Sequence, residues 1–139
     1  MTRKEWLLLV IAKAGTTGLT PIQLQKTLFL AGQAYKLKGD YYNFIPYNYG
    51  PFDPQIYKDA EELAVNEHIL IYSDSNPYRK YLITPLGQIE ANSLMQKDKK
   101  IAKFAEELVT FVKSLRFKEL LRVIYKNYPH FAANSIFRK

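Results

Sequence analysis

The stretch Tyr47-Asn48-Tyr49-Gly50-Pro51-Phe52-Asp53-Pro54 decides the fold, because it fixes where the next helix begins. Three aromatic residues, one glycine and two prolines leave these positions little conformational freedom and much apolar surface to bury. Pro54 suits the first position of a helix, and Asp53 before it can cap the free amides. Phe52 and Tyr57 have the spacing of a hydrophobic staple, which fixes the angle of chain entry. We therefore predict a helix over about residues 54–66.

Two helices precede this stretch, and each carries its own cap signals. Thr2 and Glu5 form a Thr-x-x-Glu capping box before an apolar run, which predicts a first helix over about 3–14. Thr20-Pro21-Ile22-Gln23 repeats the pattern and predicts a second helix that ends near Gly39. Apolar residues at helical spacing share one face of this helix: Leu24, Leu28, Ala31 and Tyr35.

A β-hairpin follows the third helix. Two β-prone runs, 69–72 and 78–84, are separated by the turn-forming residues 73–77. Thr84-Pro85 then starts a further helix. Three helices, a hairpin and a helix in that order predict a mainly α, winged-helix-like domain over residues 1–96, in which the two-stranded hairpin is the wing.

The last third of the chain predicts a helical extension, residues 97–139, packed on that domain. A helix over about 98–115 carries apolar residues at heptad spacing: Ile101, Phe104, Leu108, Phe111 and Leu115. This stripe favours packing onto the domain, with a homodimer through the same helix as the alternative. A last helix over about 117–128 is stopped by Pro129.

Composition limits the setting and the chemistry. The chain has 139 residues, no cysteine and a net charge of +7, so disulfides and thiolate zinc sites are excluded and a reducing cytoplasm is the simplest compartment. The apolar run after Arg3-Lys4 is too short to span a membrane, so we predict a buried first helix and no membrane partner. Charge is polarised: residues 97–139 hold eleven Lys and Arg against four acids, whereas residues 40–70 hold one Lys against six acids.

The sequence contains none of the common motifs that indicate catalysis or cofactor binding. Phosphate-binding loops, dinucleotide turns, nucleophile elbows and zinc-binding helices are all absent. His68 and His130 have no second histidine or carboxylate at motif spacing. Asp59, Glu61 and Glu62 point in different directions on a helix, so we interpret them as a solvated acidic outer face. We predict a protein that is not an enzyme and uses no metal or cofactor.

Nucleic acid is the natural partner of a basic winged-helix protein. The third helix is poorly suited to be a DNA recognition helix, because the carboxylates on its acidic face would repel phosphates. We therefore assign the DNA contact to the wing and the basic extension, with an exposed hairpin carrying solubilising charges as the alternative. The proposed contact residues are Tyr78, Arg79, Lys80, Lys97, Lys99, Lys100 and Lys103.

A protein partner is the competing hypothesis. The aromatic loop over residues 41–52 is richer in Tyr and Phe than a turn needs, and aromatic residues dominate binding hot spots. Packing of the loop into the core is the alternative. The residues assigned to a partner protein are Tyr41, Tyr42, Tyr47, Tyr49 and Phe52.

Several segments carry a family resemblance: Leu24–Leu30, Phe44–Phe52, Ile56–Asp59, Tyr125–Pro129 and Asn134-Ser135. Their Leu-Gln-Lys-x-Leu-Phe helix, Tyr-Gly-Pro turn and Tyr-Pro…Ser ending resemble prokaryotic and phage-associated small proteins, the YwgA-like proteins. The chain is more distantly similar to the SocA or Panacea antitoxin domain. Phe52 stands where that domain usually has an aliphatic residue, which places the chain nearer the YwgA-like branch.

The resemblance implies a small, helical, winged-helix-like protein of prokaryotic or phage origin. Panacea relatives neutralise a toxin, and some are adaptors that lead the toxin to degradation. We predict a DNA-associated transcription regulator first. The alternative is an antitoxin or adaptor that binds a partner protein through the aromatic loop 41–52.

Overall fold

The computed structural model describes residues 1–73 and 79–135. Over those residues the fold is mainly helical, with two small antiparallel two-stranded sheets. The helices are α1 (Arg3–Lys13), α2 (Pro21–Tyr35), α3 (Gln55–Val65), α4 (Pro85–Lys97), α5 (Lys99–Ser114) and α6 (Phe117–Asn127). The strands are β1 (Ile45–Tyr47), β2 (Gly50–Phe52), β3 (Ile69–Tyr72) and β4 (Lys80–Ile83), and 3₁₀ turns occupy Gly15–Thr17 and Pro129–Ala132.

Helix α1 is the centre of the fold. Seven consecutive residues, Trp6 to Ala12, are buried, as expected for a helix covered on all sides. Helices α2, α3, α4 and α5 and strand β4 all contact it. The predicted capping boxes are confirmed: Thr2 and Glu5 bond reciprocally at the start of α1, and Thr20 and Gln23 do so at the start of α2.

The predicted hairpin is present as β3 and β4, paired from Ile69 with Ile83 to Tyr72 with Lys80. Leu19, between α1 and α2, adds a single residue to the other edge of β4. Its N–H donates to the carbonyl of Tyr81 at 3.1 Å, and the N–H of Tyr81 donates back at 2.8 Å. Tyr78 and the preceding turn lie outside the described residues.

A second hairpin, β1 and β2, forms where a plain aromatic loop was predicted. Ile45 pairs with Phe52 and Tyr47 pairs with Gly50, which has a φ of +90° that favours glycine. Pro46 and Pro51 face each other in this ladder. Proline is scarce within strands because it cannot donate to the ladder, so the sequence pattern hides this hairpin.

Helix α3 begins at Gln55, one residue later than predicted. Oδ1 of Asp53 accepts a hydrogen bond from the N–H of Gln55 at 2.9 Å, which satisfies a free amide of the first turn. The predicted staple is confirmed, since the ring centroids of Phe52 and Tyr57 lie 5.9 Å apart.

The prediction that Asp59 faces solvent is wrong. Asp59 is fully buried together with Ile56 and Ala60. These residues recur at helical spacing, so Asp59 shares the inward face of α3 with its apolar neighbours.

Helix α5 packs against α1, α2 and α4. Its buried stripe is Ala102, Ala105, Val109 and Val112, so the inward face is rotated from the predicted heptad, and Phe111 is 42% exposed. Packing within the chain therefore uses the apolar face of this helix. The homodimer and the division at residues 96 and 97 stay predictions.

Candidate nucleic-acid interface

The two basic residues of the wing, Arg79 and Lys80, do not act as a pair. Successive side chains of a strand point to opposite faces. Arg79 lies beside the hydroxyl of Tyr81, where burial raises the pKa of that hydroxyl and the guanidinium opposes the rise. Nζ of Lys80 instead donates to the carbonyl of Thr17 at 3.2 Å, on the other face of β4. The wing thus presents one cation on each face.

Lys113, which was not among the predicted contact residues, donates to the same residue as Lys80, Thr17. Nζ of Lys113, on α5, donates to the carbonyls of Ala14 at 3.1 Å and Gly18 at 2.8 Å, and to the hydroxyl of Thr17. Its pKa is lowered, first by burial and then by the charge of Lys80. We call Lys80, Lys113 and Thr17 the cationic corner. It joins the wing to the C-terminal third of the chain.

One face of α5 extends this positive charge. Lys99, Lys103, Glu106 and Lys113 follow each other at spacings that place them on the same side of the helix. Glu106 is paired with Lys13 of α1, Nζ to Oε1 at 3.5 Å. We call the five lysines of this surface the cationic track. They are Lys80, Lys113, Lys13, Lys103 and Lys99, and from Lys99 to Lys113 the track runs about 21 Å.

One of the other two lysines assigned to the basic extension, Lys100, lies off this track. Lys100 is rotated by about 100° from Lys99 around α5. Lys97 is the last residue of α4. Both are exposed. Of the residues predicted to contact nucleic acid, the structure therefore brings Lys80, Lys99 and Lys103 onto one surface.

The acidic outer face of α3 is smaller than predicted. Nε of Arg3 lies 2.8 Å from Oδ2 of Asp59, and hydroxyl and amide donors from Tyr42 and Gln55 complete the shell at 2.7 and 2.9 Å. Burial alone would raise the pKa of Asp59, but these bonds outweigh it and the pKa is lowered. Glu62 is paired with Lys4 at 2.7 Å. Repulsion of phosphates from this helix is correspondingly weaker.

Two of the aromatic residues assigned to a protein partner belong to the core. Tyr41 and Tyr42 are 7% and 6% exposed, and their hydroxyls donate to the carbonyl of Leu28 and to Asp59. The ring of Tyr41 packs where a Cβ on Gly32 would lie only 2.7 Å from Cε2. These tyrosines bind other parts of the chain and offer little surface to a partner.

The remaining aromatic residues lie on the β1–β2 hairpin. Tyr47 and Tyr49 are 47% and 41% exposed, and Phe52 is half-buried. The ring of Tyr47 stacks on that of Phe52 at 4.9 Å, and the ring of Tyr49 meets Phe117 at 5.7 Å. With Ile45, 53% exposed, they form the apolar surface of this hairpin.

Two consecutive side chains of α2 hold the hairpin, and we call them the hairpin clamp. Gln25 bonds to both backbone groups of Asp53, and Nζ of Lys26 donates to the carbonyl of Pro51 at 3.0 Å. Lys26 is 2% exposed, and burial lowers its pKa to about 7. Lys26 and Pro51, which lie in two of the segments that resemble the YwgA-like proteins, therefore contact each other directly.

Within residues 1–73 and 79–135, no group of three or more His, Asp or Glu side chains could hold a metal ion. A cavity of about 180 Å³ lies beside α2 and the aromatic segment, with Phe29, Tyr42 and Phe131 among its walls.

No protein-family model matches the chain, and no curated protein matches it either. Among the described residues, no helix has the length and apolar character needed to cross a bilayer. The resemblance to the YwgA-like proteins stays a prediction.

Proposed function

We propose that this chain is a winged-helix-like, non-enzymatic protein that binds nucleic acid by contacting its phosphates along the cationic track. The observation that carries the proposal is that Lys80 and Lys113 both donate hydrogen bonds to Thr17. It makes one positive surface from the wing and α5, which are far apart in sequence. A transcription regulator is the role that this binding would serve.

The order of elements supports the winged-helix assignment. Helix α1, the bridge residue Leu19, α2, α3 and the β3–β4 hairpin follow each other as in that fold, and Leu19 pairs with β4 as its short first strand would. The β1–β2 hairpin between α2 and α3 is a departure, because the two helices are usually joined by a short turn.

The charge of the track supports a polyanionic ligand. Five lysines lie on it, and its carboxylate Glu106 is already paired with Lys13. A lysine that neutralises a phosphate releases a condensed counterion. Each such contact therefore makes the slope of log affinity against log salt more negative by about 0.9 for a duplex. Three to five contacts therefore predict a slope of about −3 to −4.5.

Fluorescence anisotropy with a labelled 20-base-pair duplex over a KCl series tests the proposal. Lys99→Gln/Lys103→Gln should weaken binding and reduce the slope by about 2, since two phosphate contacts are lost. Lys38→Gln/Lys126→Gln removes the same charge from exposed positions off the track and is the matched control. Affinity that is independent of salt, or equal losses in both double variants, would contradict the proposal.

A second candidate function rests on the exposed apolar hairpin. Ile45 and Tyr47 lie on β1, which pairs with the strand β2 that the hairpin clamp holds, and this suits a rigid protein contact. With the family resemblance, this favours an antitoxin or adaptor. If so, Ile45→Ser/Tyr47→Ser should abolish association with a co-expressed product of a neighbouring gene, while Lys99→Gln/Lys103→Gln leaves it intact.

A further inference from the structure

The cationic corner has unused hydrogen-bonding capacity on one of its two lysines. A lysine ammonium carries three N–H donors. Lys113 directs all three to oxygens of Ala14, Thr17 and Gly18. Lys80 has one acceptor within the described residues, the carbonyl of Thr17, so two of its donors are left for a ligand.

The corner also lacks a counter-charge. The ion pairs within residues 1–73 and 79–135 join carboxylates to Arg3, Lys4 and Lys13, and none includes Lys80 or Lys113. The charge of Lys80 contributes to the lowered pKa of Lys113, which is the signature of like charges held together. An anion between or above the two ammonium groups would remove this repulsion.

There is room for such an anion. Thr16 and Thr17 are exposed, and a Cβ placed on Gly15 would meet nothing within 4 Å. A phosphate group fits the chemistry because it offers several acceptor oxygens to the free donors of Lys80 and carries negative charge to set against two ammonium groups.

We propose that the cationic corner binds a single phosphate group, with Lys80 as the direct ligand and Lys113 as the positioning residue that holds Thr17 beneath it. The inference rests on the proposed function for its source, a phosphodiester of nucleic acid. Free phosphate has the same chemistry and is distinguished by the experiment.

The test is an NMR titration of the full chain with inorganic phosphate, against KCl at matched ionic strength. We expect the amide signals of residues 15–19 to shift together and saturate, and the pKa of Lys113 to rise as phosphate binds. Lys80→Gln should weaken binding at least tenfold. Lys38→Gln, at an exposed position off the track, should leave it unchanged.

The role of Lys113 is tested by two substitutions. Lys113→Met should weaken phosphate binding, because Thr17 and the neighbouring carbonyls lose their donor, and Lys113→Arg should restore most of it. If Lys113→Met binds phosphate as the wild type does, the positioning role is wrong.

The outcomes separate the site from the function. The phosphate site is wrong if the NMR shifts are spread evenly over the exposed lysines, or if the Lys80→Gln variant binds phosphate as well as the wild type. In either case, salt-sensitive binding to the duplex would still support the proposed function. Saturable phosphate binding without any duplex binding keeps the site, identifies free phosphate as its ligand and overturns the proposed function.

Discussion

The side-chain amide of Gln25 pairs with the backbone of Asp53 as a neighbouring strand would. Its Nε2 donates to the carbonyl of Asp53 at 2.9 Å, and its Oε1 accepts from the N–H of Asp53 at 3.0 Å. A residue in the middle of a helix thereby supplies the missing partner for the end of a strand. Together with Lys26, this side chain holds the hairpin and the start of α3 in register with α2.

Replacement of Gln25 with leucine should loosen the attachment of Asp53, and with it the β1–β2 hairpin, to α2. Both bonds to Asp53 are lost and its N–H is left without a partner, whereas its carbonyl keeps the N–H of Ile56, so we expect the free energy of unfolding to fall by about 1–3 kcal/mol. Urea denaturation measures the loss, and amide exchange should accelerate at Asp53. Gln33→Leu, at an exposed position of the same helix, should change stability by less than about 0.5 kcal/mol. Equal effects of the two substitutions would refute the clamp.

The buried amine of Lys26 predicts a stability that rises with pH. Burial lowers its pKa from 10.5 to about 7, so between these values the unfolded chain binds more protons than the folded one. The free energy of unfolding should therefore increase from pH 7 to pH 9, by up to about 1.4 kcal/mol per pH unit.

Lys26→Met should flatten this rise, because no amine has to lose its proton on folding, although the carbonyl of Pro51 loses its donor. Guanidinium denaturation at pH 7, 8 and 9 makes the comparison. Lys38→Met, which changes an exposed lysine, should retain the wild-type slope. A slope that survives in Lys26→Met would assign the pH dependence to other groups.

The carboxylate of Asp59 should matter far more than its surface neighbour. Asp59→Asn leaves the guanidinium of Arg3 and the hydroxyl of Tyr42 without their charged acceptor, and we expect a loss of about 3 kcal/mol. Glu62→Gln breaks an exposed pair with Lys4 and should cost less than about 1 kcal/mol. Thermal or chemical unfolding at neutral pH separates the two, and similar losses would mean that the buried network adds little.

Acid should weaken the same network. The pKa of Asp59 is lowered from 3.8, so its contribution is fully present above that value and is lost as the pH falls through the folded-state pKa. Stability measured between pH 5 and pH 2 should decline less steeply in Asp59→Asn than in the wild type.

Gly87 should not tolerate a side chain. A Cβ at this position would lie 1.9 Å from the carbonyl oxygen of His68, a backbone atom that cannot rotate away. Gly87→Ala should therefore destabilise the protein by more than about 2 kcal/mol, although alanine is the better helix former by about 1 kcal/mol. Ser93→Ala, at an exposed site of the same helix, is the control and should be neutral or stabilising. A stabilised Gly87→Ala variant would show that α4 can move away from His68.

Local signals in the sequence predicted the local structure. The boxes of Thr2 with Glu5 and Thr20 with Gln23 depend on residues three apart, so composition and spacing suffice to find them. The staple of Phe52 and Tyr57 is of the same kind. Helix starts were consequently predicted to within a residue or two.

Buried charge was harder to predict, although periodicity contained the signal. Asp59 lies at helical spacing from Ile56 and Leu63, and Lys26 is followed closely by the buried Leu28 and Phe29. The usual assignment of charged residues to solvent outweighed that pattern. What makes burial tolerable is a set of partners from other elements, such as Arg3 for Asp59, and no local pattern identifies them.

The cationic corner was the feature least predictable from local sequence patterns. Lys113 and Thr17 are 96 residues apart in sequence. Strand alternation could have separated Arg79 from Lys80, but only the packing of α5 against α1 brings Lys113 to the same place as Lys80.

The central position of α1 has a consequence for synthesis of the chain. The ribosome makes its seven buried residues well before α5, which covers one side of them, and Lys113 bonds to Ala14 across 99 positions. Contacts of such long range delay folding, and a nascent chain that ends before α5 leaves a strongly apolar helix exposed to aggregation. The order of translation thus leaves α1 in need of protection until α5 has been made, by a chaperone or by rapid synthesis of the segment between them.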